Sequence, residues 1–283
     1  MNIHHHESLF TLRPLSTPTC PYLFHAGYNS RCFSTIEGRP EEKHVSRLVS
    51  AALVCLLAIA PSAYAKRRAA KSPSNPAAST QCVTFGFVHV GLVGTYLTTT
   101  PQGNVNFTIT YLQDDATTTR TTQKVSTPQG NADAETTLTT DSVPGALRGI
   151  KHIYVKTTTV VPFLGAQVIE VDIDFVPTLT AGPAGGWCVN ATWSVPASTE
   201  TITSRSIAGT QQQIVTTAAS EGKVLAIEDI TVPAGTFHTL KYVGALVSNG
   251  NVQMATTWVS TQHNIVVRQE AGDQVTVLTA LQP

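Results

Sequence analysis

The sequence predicts an all-β fold: a curved antiparallel sheet, arranged as a half-barrel or a sandwich, with little helix outside a signal peptide. Three observations carry this. Apolar and polar residues alternate with period two over many short stretches, as half-buried strands require. Val105, Phe107, Ile109 and Tyr111 form one such series, and Ile169, Val171, Ile173 and Phe175 another. From about residue 80 the chain is rich in Thr and Val, which suit pleated, half-buried surfaces. Finally, the stretch from Glu228 to Val243 reads as a β-hairpin around Pro233, Ala234 and Gly235.

In that hairpin Pro233 supplies the φ of the second residue of a type I turn. Gly235 can take the left-handed conformation that follows such a turn. The three residues therefore predict a three-residue loop ending in a G1 bulge. Setting Val232 opposite Thr236 places Ile230 opposite His238 and Glu228 opposite Leu240. One face then carries Ala226, Ile230, Val232, Leu240 and Tyr242, and the other Asp229, Thr231, Thr239 and Lys241. This register puts His238 on the apolar face as a hydrogen-bonded core residue.

Ahead of the strands the chain changes character three times. Residues 1–44 are irregular and hold His4-His-His6, with no lasting period. Arg47, the apolar run Leu48–Ala60 and the Ala63-Tyr-Ala65 ending make a secretory signal peptide over 45–65, cleaved after Ala65. The run is short of the about 20 residues of a membrane span, and an uncleaved anchor is the competing reading. A signal core normally lies near the N-terminus. Residues 1–44 are therefore read as an upstream extension outside the exported protein, or else as an extended leader. Residues 66–80, with Lys66, Arg67, Arg68 and Lys71 among Ser, Pro and Ala, read as a flexible basic linker. Such a run is either a solvated tail or an attraction to anionic envelope surfaces.

Residues 81–283 then read as a single all-β domain. Val83, Phe85 and Phe87 share one parity, with Gly86, Gly91 and Gly94 marking bends or bulges. Residues 113–146 are polar and Thr-rich, either two exposed strands or long loops. A hairpin follows from Ile150–Val161 to Ala166–Val176, then a strand at Trp187–Val195. Further strands fit 199–207, 211–217, 223–232, 237–247, 252–259, 265–270 and 274–281. Thr210–Gly222 could also be written as a short helix, against its Thr content.

The whole chain has a formal net charge of +0. From residue 81 onward nine Lys and Arg face fourteen Asp and Glu, a balance of −5. A mildly acidic domain argues against nucleic acid as a partner. Membrane contact is expected only during export, into the periplasm or the medium.

The chemistry-bearing residues are sparse. After signal removal only Cys82 and Cys188 remain, and an even pair in an oxidising compartment reads as one disulfide, with two buried free thiols as the alternative. Such a bond sets the Cα atoms about 4.4–6.8 Å apart. Glu170, Asp172 and Asp174 share one strand face. Alternate residues are about 6.6 Å apart, wide for shared cation coordination. A solvated face with partners such as Lys156 is favoured. His89, His152, His238 and His263 are scattered, with no HxH or HxxxH spacing, so no metal site is expected. No P-loop, Rossmann fingerprint or G-x-S-x-G is present. No catalytic residue and no cofactor are assigned.

Val232-Pro-Ala-Gly-Thr-Phe237, followed by Leu240-Lys241, then Trp258, then Ile265-Val-Val-Arg268, resembles a signature of exported bacterial proteins of unknown function. The resemblance covers residues 222–283. It implies a curved antiparallel sheet related to the half-barrels of periplasmic lipoprotein carriers, and no catalytic residues. The expected function is therefore an exported non-enzymatic β-domain that binds an apolar ligand, such as a lipid, or an envelope protein. The alternatives are a structural or adhesion module and a hydrolase with an unrecognised site. An apolar cavity, flat exposed sheets, or His and carboxylates clustered in a cleft would separate the three.

Overall fold

The computed structural model describes residues 81–127, 130–141, 149–161, 165–206, 209–248 and 250–283. The leader, the signal peptide with Ala63 and Ala65, and the linker lie outside them. The described residues form strands joined by turns and irregular segments, with no helix among them. The first are β1 (Cys82–Val83), β2 (Val93–Thr100), β3 (Gly103–Asp114), β4 (Thr118–Thr127) and β5 (Gly130–Asp141). Then come β6 (Gly149–Val161), β7 (Gly165–Thr180), β8 (Trp187–Cys188), β9 (Thr192–Ser206) and β10 (Gln211–Val232). The last are β11 (Gly235–Ser248), β12 (Asn251–Ser260), β13 (Val266–Ala271) and β14 (Gln274–Gln282).

Twelve of these strands close into one antiparallel barrel, in the order β10-β11-β12-β13-β14-β2-β3-β4-β5-β6-β7-β9. This corrects the half-barrel or sandwich expected from the sequence. β9 pairs with β7 on one side and β10 on the other, so the ladder returns to its start and no edge is left unpaired. The pair β1–β8 stands apart as a two-stranded sheet. Residues 84–92, expected to continue the first strand, are irregular. Residues 113–146 supply β4 and β5 of the wall. The helix considered at 210–222 is absent, because 211–232 is one continuous strand.

The central hairpin also differs in register. Val232 pairs with Gly235, Ile230 with Phe237, Asp229 with His238 and Ile227 with Leu240. The loop is thus Pro233-Ala234 alone. Gly235 has φ 133°, away from the left-handed values near 60° that a G1 bulge uses. The hairpin's irregularity lies instead at Leu225, between Val224 and Ala226. It switches the parity, so Val224, Ile227, Leu240 and Tyr242 share the inward face while Ile230, Val232 and Phe237 take the other.

Because the strands alternate, their connections fall on two rims. One carries the strand ends β2/β3, β4/β5, β6/β7, β9/β10, β11/β12 and β13/β14, and is called here the hairpin rim. The opposite rim receives residues 81–92, the excursion 181–191 with β8, and the β10–β11 turn. There Phe85 and Trp187 are buried with Val224, Leu240, Tyr242, Val259 and Val266. The Val88 amide donates to Asp114 Oδ2 at 2.6 Å. The β10–β11 turn reaches β14, where the Ala234 amide donates to the Leu278 carbonyl. Val232 joins Tyr96, Phe107, Ile109 and Leu278 in a second cluster. A third gathers Ile153, Val155, Ile173, Phe175 and Leu179 of β6 and β7 with Ala218 of β10. Twelve strands in a round barrel enclose more space than side chains fill. Inward residues such as Ile109, Gln123, Thr136, Val155 and Ile173 are nevertheless buried. The walls therefore close on the core through their own side chains.

Candidate functional site

The disulfide lies on the rim opposite the hairpin rim, called here the plugged rim because Phe85 and Trp187 are buried there. Cys82 and Cys188 are bonded and directly opposite each other in the β1–β8 pair. Their Cα atoms are 3.9 Å apart, closer than the expected range. The bond ties the N-terminal segment to the 181–191 excursion, not to the centre of the large sheet. Beside it Trp187 packs edge-on against Phe85 and Trp193 and at a tilt against Tyr242. Trp193 donates Nε1–H to Ser220 Oγ at 3.0 Å. Its ring lies against Gly222, where a side chain would leave it no room, and against Gly244, where a Cβ would meet it at an ordinary 3.5 Å.

The outer face of β5, β6, β7 and β9 carries a ladder of alternating charge. Glu135 stands opposite Lys156, Lys156 opposite Glu170, and Glu170 opposite Arg205. The expected partnership of Lys156 with the β7 carboxylates is thus one of register. Arg205 Nη1 lies 3.1 Å from Asp172 Oδ2. His152 Nδ1 lies 2.8 Å from Asp174 Oδ1, and its Nε2 3.5 Å from Asp172 Oδ1. Burial, and next the charge of Glu170, raises the pKa of Tyr154. This row follows from period two and cross-strand pairing, which favours opposite charges. A transmembrane barrel needs an apolar outer band about 25 Å tall, and a charged outer wall does not provide one.

A second outer cluster joins β10 to β13. Trp258 donates Nε1–H to Glu228 Oε1 at 2.8 Å. Lys241 Nζ and the Arg268 guanidinium lie 4.8 and 5.5 Å from its ring centre. Arg268 also pairs with Glu270. Trp258 is itself buried, so these cations serve as its lid.

The four histidines lie in four settings. His238 is exposed and hydrogen-bonded to Asp229 at 2.6 Å, which corrects its placement in the core. It keeps the parity of Leu240, but the changed register sets it opposite Asp229 instead of Ile230, toward the turn end of the hairpin where that side of the strand is exposed. His263 packs its ring against Phe237, and His89 lies in the irregular N-terminal segment. No group of three or more His, Cys, Asp or Glu among the described residues is arranged to hold a metal.

The inward-facing group that sequence reasoning missed is Glu200. It is buried on the inner face of β9, beside Phe175 of β7 and Thr216 of β10. Ser248 donates to its Oε2 at 2.5 Å. Burial raises the Glu200 pKa, opposed by that hydrogen bond. The signal was available, since Glu200 shares parity with Ile202 in an alternating stretch. Two other buried polar sites are structural. Asp114 accepts from Thr119 and from the Val88 amide, and burial, then the charge of Asp114, raises the Tyr111 pKa far above its ordinary value.

An open groove of about 260 Å³ lies where Trp193, Gly222 and Gly244 meet Val243, Ala245 and Met254. Exposed apolar side chains also collect near the hairpin rim, on Val160, Ile214, Val215, Val252 and Met254.

No protein-family model matches the chain, and no curated protein matches it. Two solved structures show a distant likeness. One is provisionally assigned as a lipoprotein from Parabacteroides distasonis, with a TM-score of 0.32 and 15% identity over 71% of this chain and 100% of that one. The other is provisionally assigned as an exported protein with a YmcC-like fold from Bacteroides fragilis, with a TM-score of 0.31 and 10% identity over the same shares. Likeness at this level carries neither an activity nor a ligand to this chain.

Proposed function

We propose that the protein is an exported, non-enzymatic binding module that engages a component of the bacterial envelope through the hairpin rim of its barrel. One observation carries this reading. The inward face at mid-barrel is closed to water by its own side chains, while five half-exposed apolar residues sit on three neighbouring hairpins of one rim, and Phe87, Val90, Leu112, Val176 and Leu225 are exposed apart from them. Surface of that kind marks interaction sites in soluble proteins. The settings of the histidines weigh against a hydrolase. His152 has carboxylate neighbours, but on an open sheet face with no cleft to exclude water.

The test is a photo-crosslinking amino acid placed at Met254 or Val215 in cells that export the protein. Adducts are expected from these positions and not from Thr122, on the outer face of β4. Equal or absent labelling at all three sites refutes the reading. A second reading, a small lipophilic ligand, rests on the groove beside Trp193. Native mass spectrometry of the exported form, followed by lipid extraction, would show a bound species if it holds.

A further inference from the structure

Three hairpin ends stand side by side on the hairpin rim: β6/β7, β9/β10 and β11/β12. Their described residues are nearly free of charge. Across 157–160, 165–168, 202–206, 211–217, 245–248 and 251–256, the one ionic side chain is Arg205, which is paired with Asp172. Two of the remaining three ends of this rim carry charge, Lys124 and Asp133 on β4/β5 and Glu270 and Asp273 at β13/β14, while the β2/β3 end, also uncharged, is polar and exposes no large apolar side chain. The rim thus has an uncharged arc and a polar arc.

The uncharged arc exposes its apolar residues. Val160 is 59%, Val215 64%, Val252 52%, Met254 60% and Ile214 49% exposed. Ile214 ends a row that runs Ile173, Ile202, Ile214 across β7, β9 and β10. Ile173 is buried and Ile214 half exposed, so the apolar inner face continues outward to the rim. Val215, Val252 and Met254 face the other way, on the outside. Apolar side chains on both faces of the β9/β10 end, Ile214 and Val215, suit a surrounding medium better than a flat partner.

We propose that this arc docks on the lipid surface of an envelope membrane, with its exposed apolar side chains at the headgroup boundary. The inference rests on the envelope-binding reading above and names its partner. Two arguments favour lipid over a second copy of the chain. The exposed apolar area is on the order of a few hundred Å², short of the roughly 800 Å² per partner of a stable interface. It is also divided among separate hairpins, whereas a two-fold interface needs one self-complementary patch. The arc's lack of charge suits the acyl boundary, where burying apolar area drives binding. The attraction is therefore nearly independent of lipid charge and of salt.

The test is flotation of the full exported protein with vesicles of phosphatidylcholine and with vesicles of phosphatidylethanolamine and phosphatidylglycerol. Binding to both is expected, changing less than about threefold between 50 and 500 mM salt by the screening argument. Val215→Asp with Met254→Asp should weaken it tenfold or more. Both side chains face outward, so the variant should keep the wild-type circular dichroism spectrum and unfolding midpoint. Val90→Asp, exposed near the plugged rim, should bind as the wild type does. Several results overturn the proposal: no flotation with either vesicle, binding to the anionic vesicle alone that salt abolishes, or equal binding by the double variant. So does a concentration-dependent dimer that the double variant loses. If flotation fails while crosslinks from Met254 capture a protein, the lipid inference falls and the envelope-binding reading stands. If the crosslinks also fail, both fall.

Discussion

Gly222→Ala should destabilise the barrel far more than Gly244→Ala, although the two glycines face each other across β10 and β11. A Cβ on Gly222 would sit 2.3 and 2.4 Å from two ring carbons of Trp193 and 2.5 Å from the Val243 carbonyl oxygen. On Gly244 the nearest atom, again of the Trp193 ring, would be 3.5 Å away, an ordinary contact. The Trp193 ring cannot swing aside, because Trp187 and Tyr242 pack against it and Ser220 holds its Nε1. The carbonyl belongs to the strand ladder. Overpacking of this kind costs about 1–3 kcal/mol, and the entropy gained by replacing Gly returns about 0.4–1 kcal/mol. The clash at Gly222, with a held ring and a backbone carbonyl, takes the upper end of that range, so the net loss is about 2 kcal/mol, against no loss or a gain of a few tenths at Gly244. At about 2–4 °C per kcal/mol for a chain of this size, Gly222→Ala should lower the Tm by about 4–8 °C. Urea unfolding of the purified exported protein reads the same difference as a shift in midpoint at constant slope. Trp193→Phe removes the benzo edge that the new methyl meets. In that background the Gly222→Ala loss should shrink, with a coupling of about 1 kcal/mol in the double-mutant cycle. Equal midpoints for the Gly222 and Gly244 variants would refute the packing account. So would strict additivity with Trp193→Phe.

The remaining predictions concern the bond, the buried carboxylate and the leader. Replacing Cys82 and Cys188 by Ser releases a link between residues 106 positions apart, worth up to ~4.7 kcal/mol in the chain-entropy model. The unfolding midpoint should fall while the strand spectrum at 25 °C is kept, and the unfolded, unreduced wild type should show no thiol labelling. Glu200 has a carboxyl pKa raised by burial, so the native state holds its proton at pH values where the unfolded chain has lost it. Its contribution to stability is full below the unfolded value and is lost as pH rises through the folded one. Glu200→Gln should flatten that part of the pH–stability profile and gain stability relative to wild type toward neutral pH. A profile parallel to that of wild type would contradict this. Terminal sequencing of the exported protein should begin at Lys66; an N-terminus upstream of Leu48 would contradict cleavage after Ala65.

Local patterning made the strands legible and left their closure hidden. Period two located β3, β7, β11 and β14 because their apolar residues mark one side. It left β4 and β5 undecided because their inward positions are Thr119, Thr121, Gln123 and Thr136, as polar as their outward ones. Those side chains are buried only because the barrel closes over them. Most neighbouring strands follow one another in the chain, but the β14–β2 pairing that distinguishes a closed barrel from an open sheet joins the last strand to the first of the barrel and has no local mark. The register of the Pro233-Ala234 turn failed for a related reason. Turn chemistry permitted either loop length, and the parity switch that decides the inward face lies at Leu225, ten residues along the chain from Gly235. The disulfide was readable from counting and compartment, but its role depended on β1 and β8 leaving the large sheet. The uncharged arc of the rim is the most instructive case. Each of its segments reads alone as an unremarkable Thr-rich strand end. Alternation of strand direction brings the three ends to one rim, and the pairing order makes them neighbours. The absence of charge then becomes a continuous surface, which is why the vesicle experiment depends on the topology more than on any one residue.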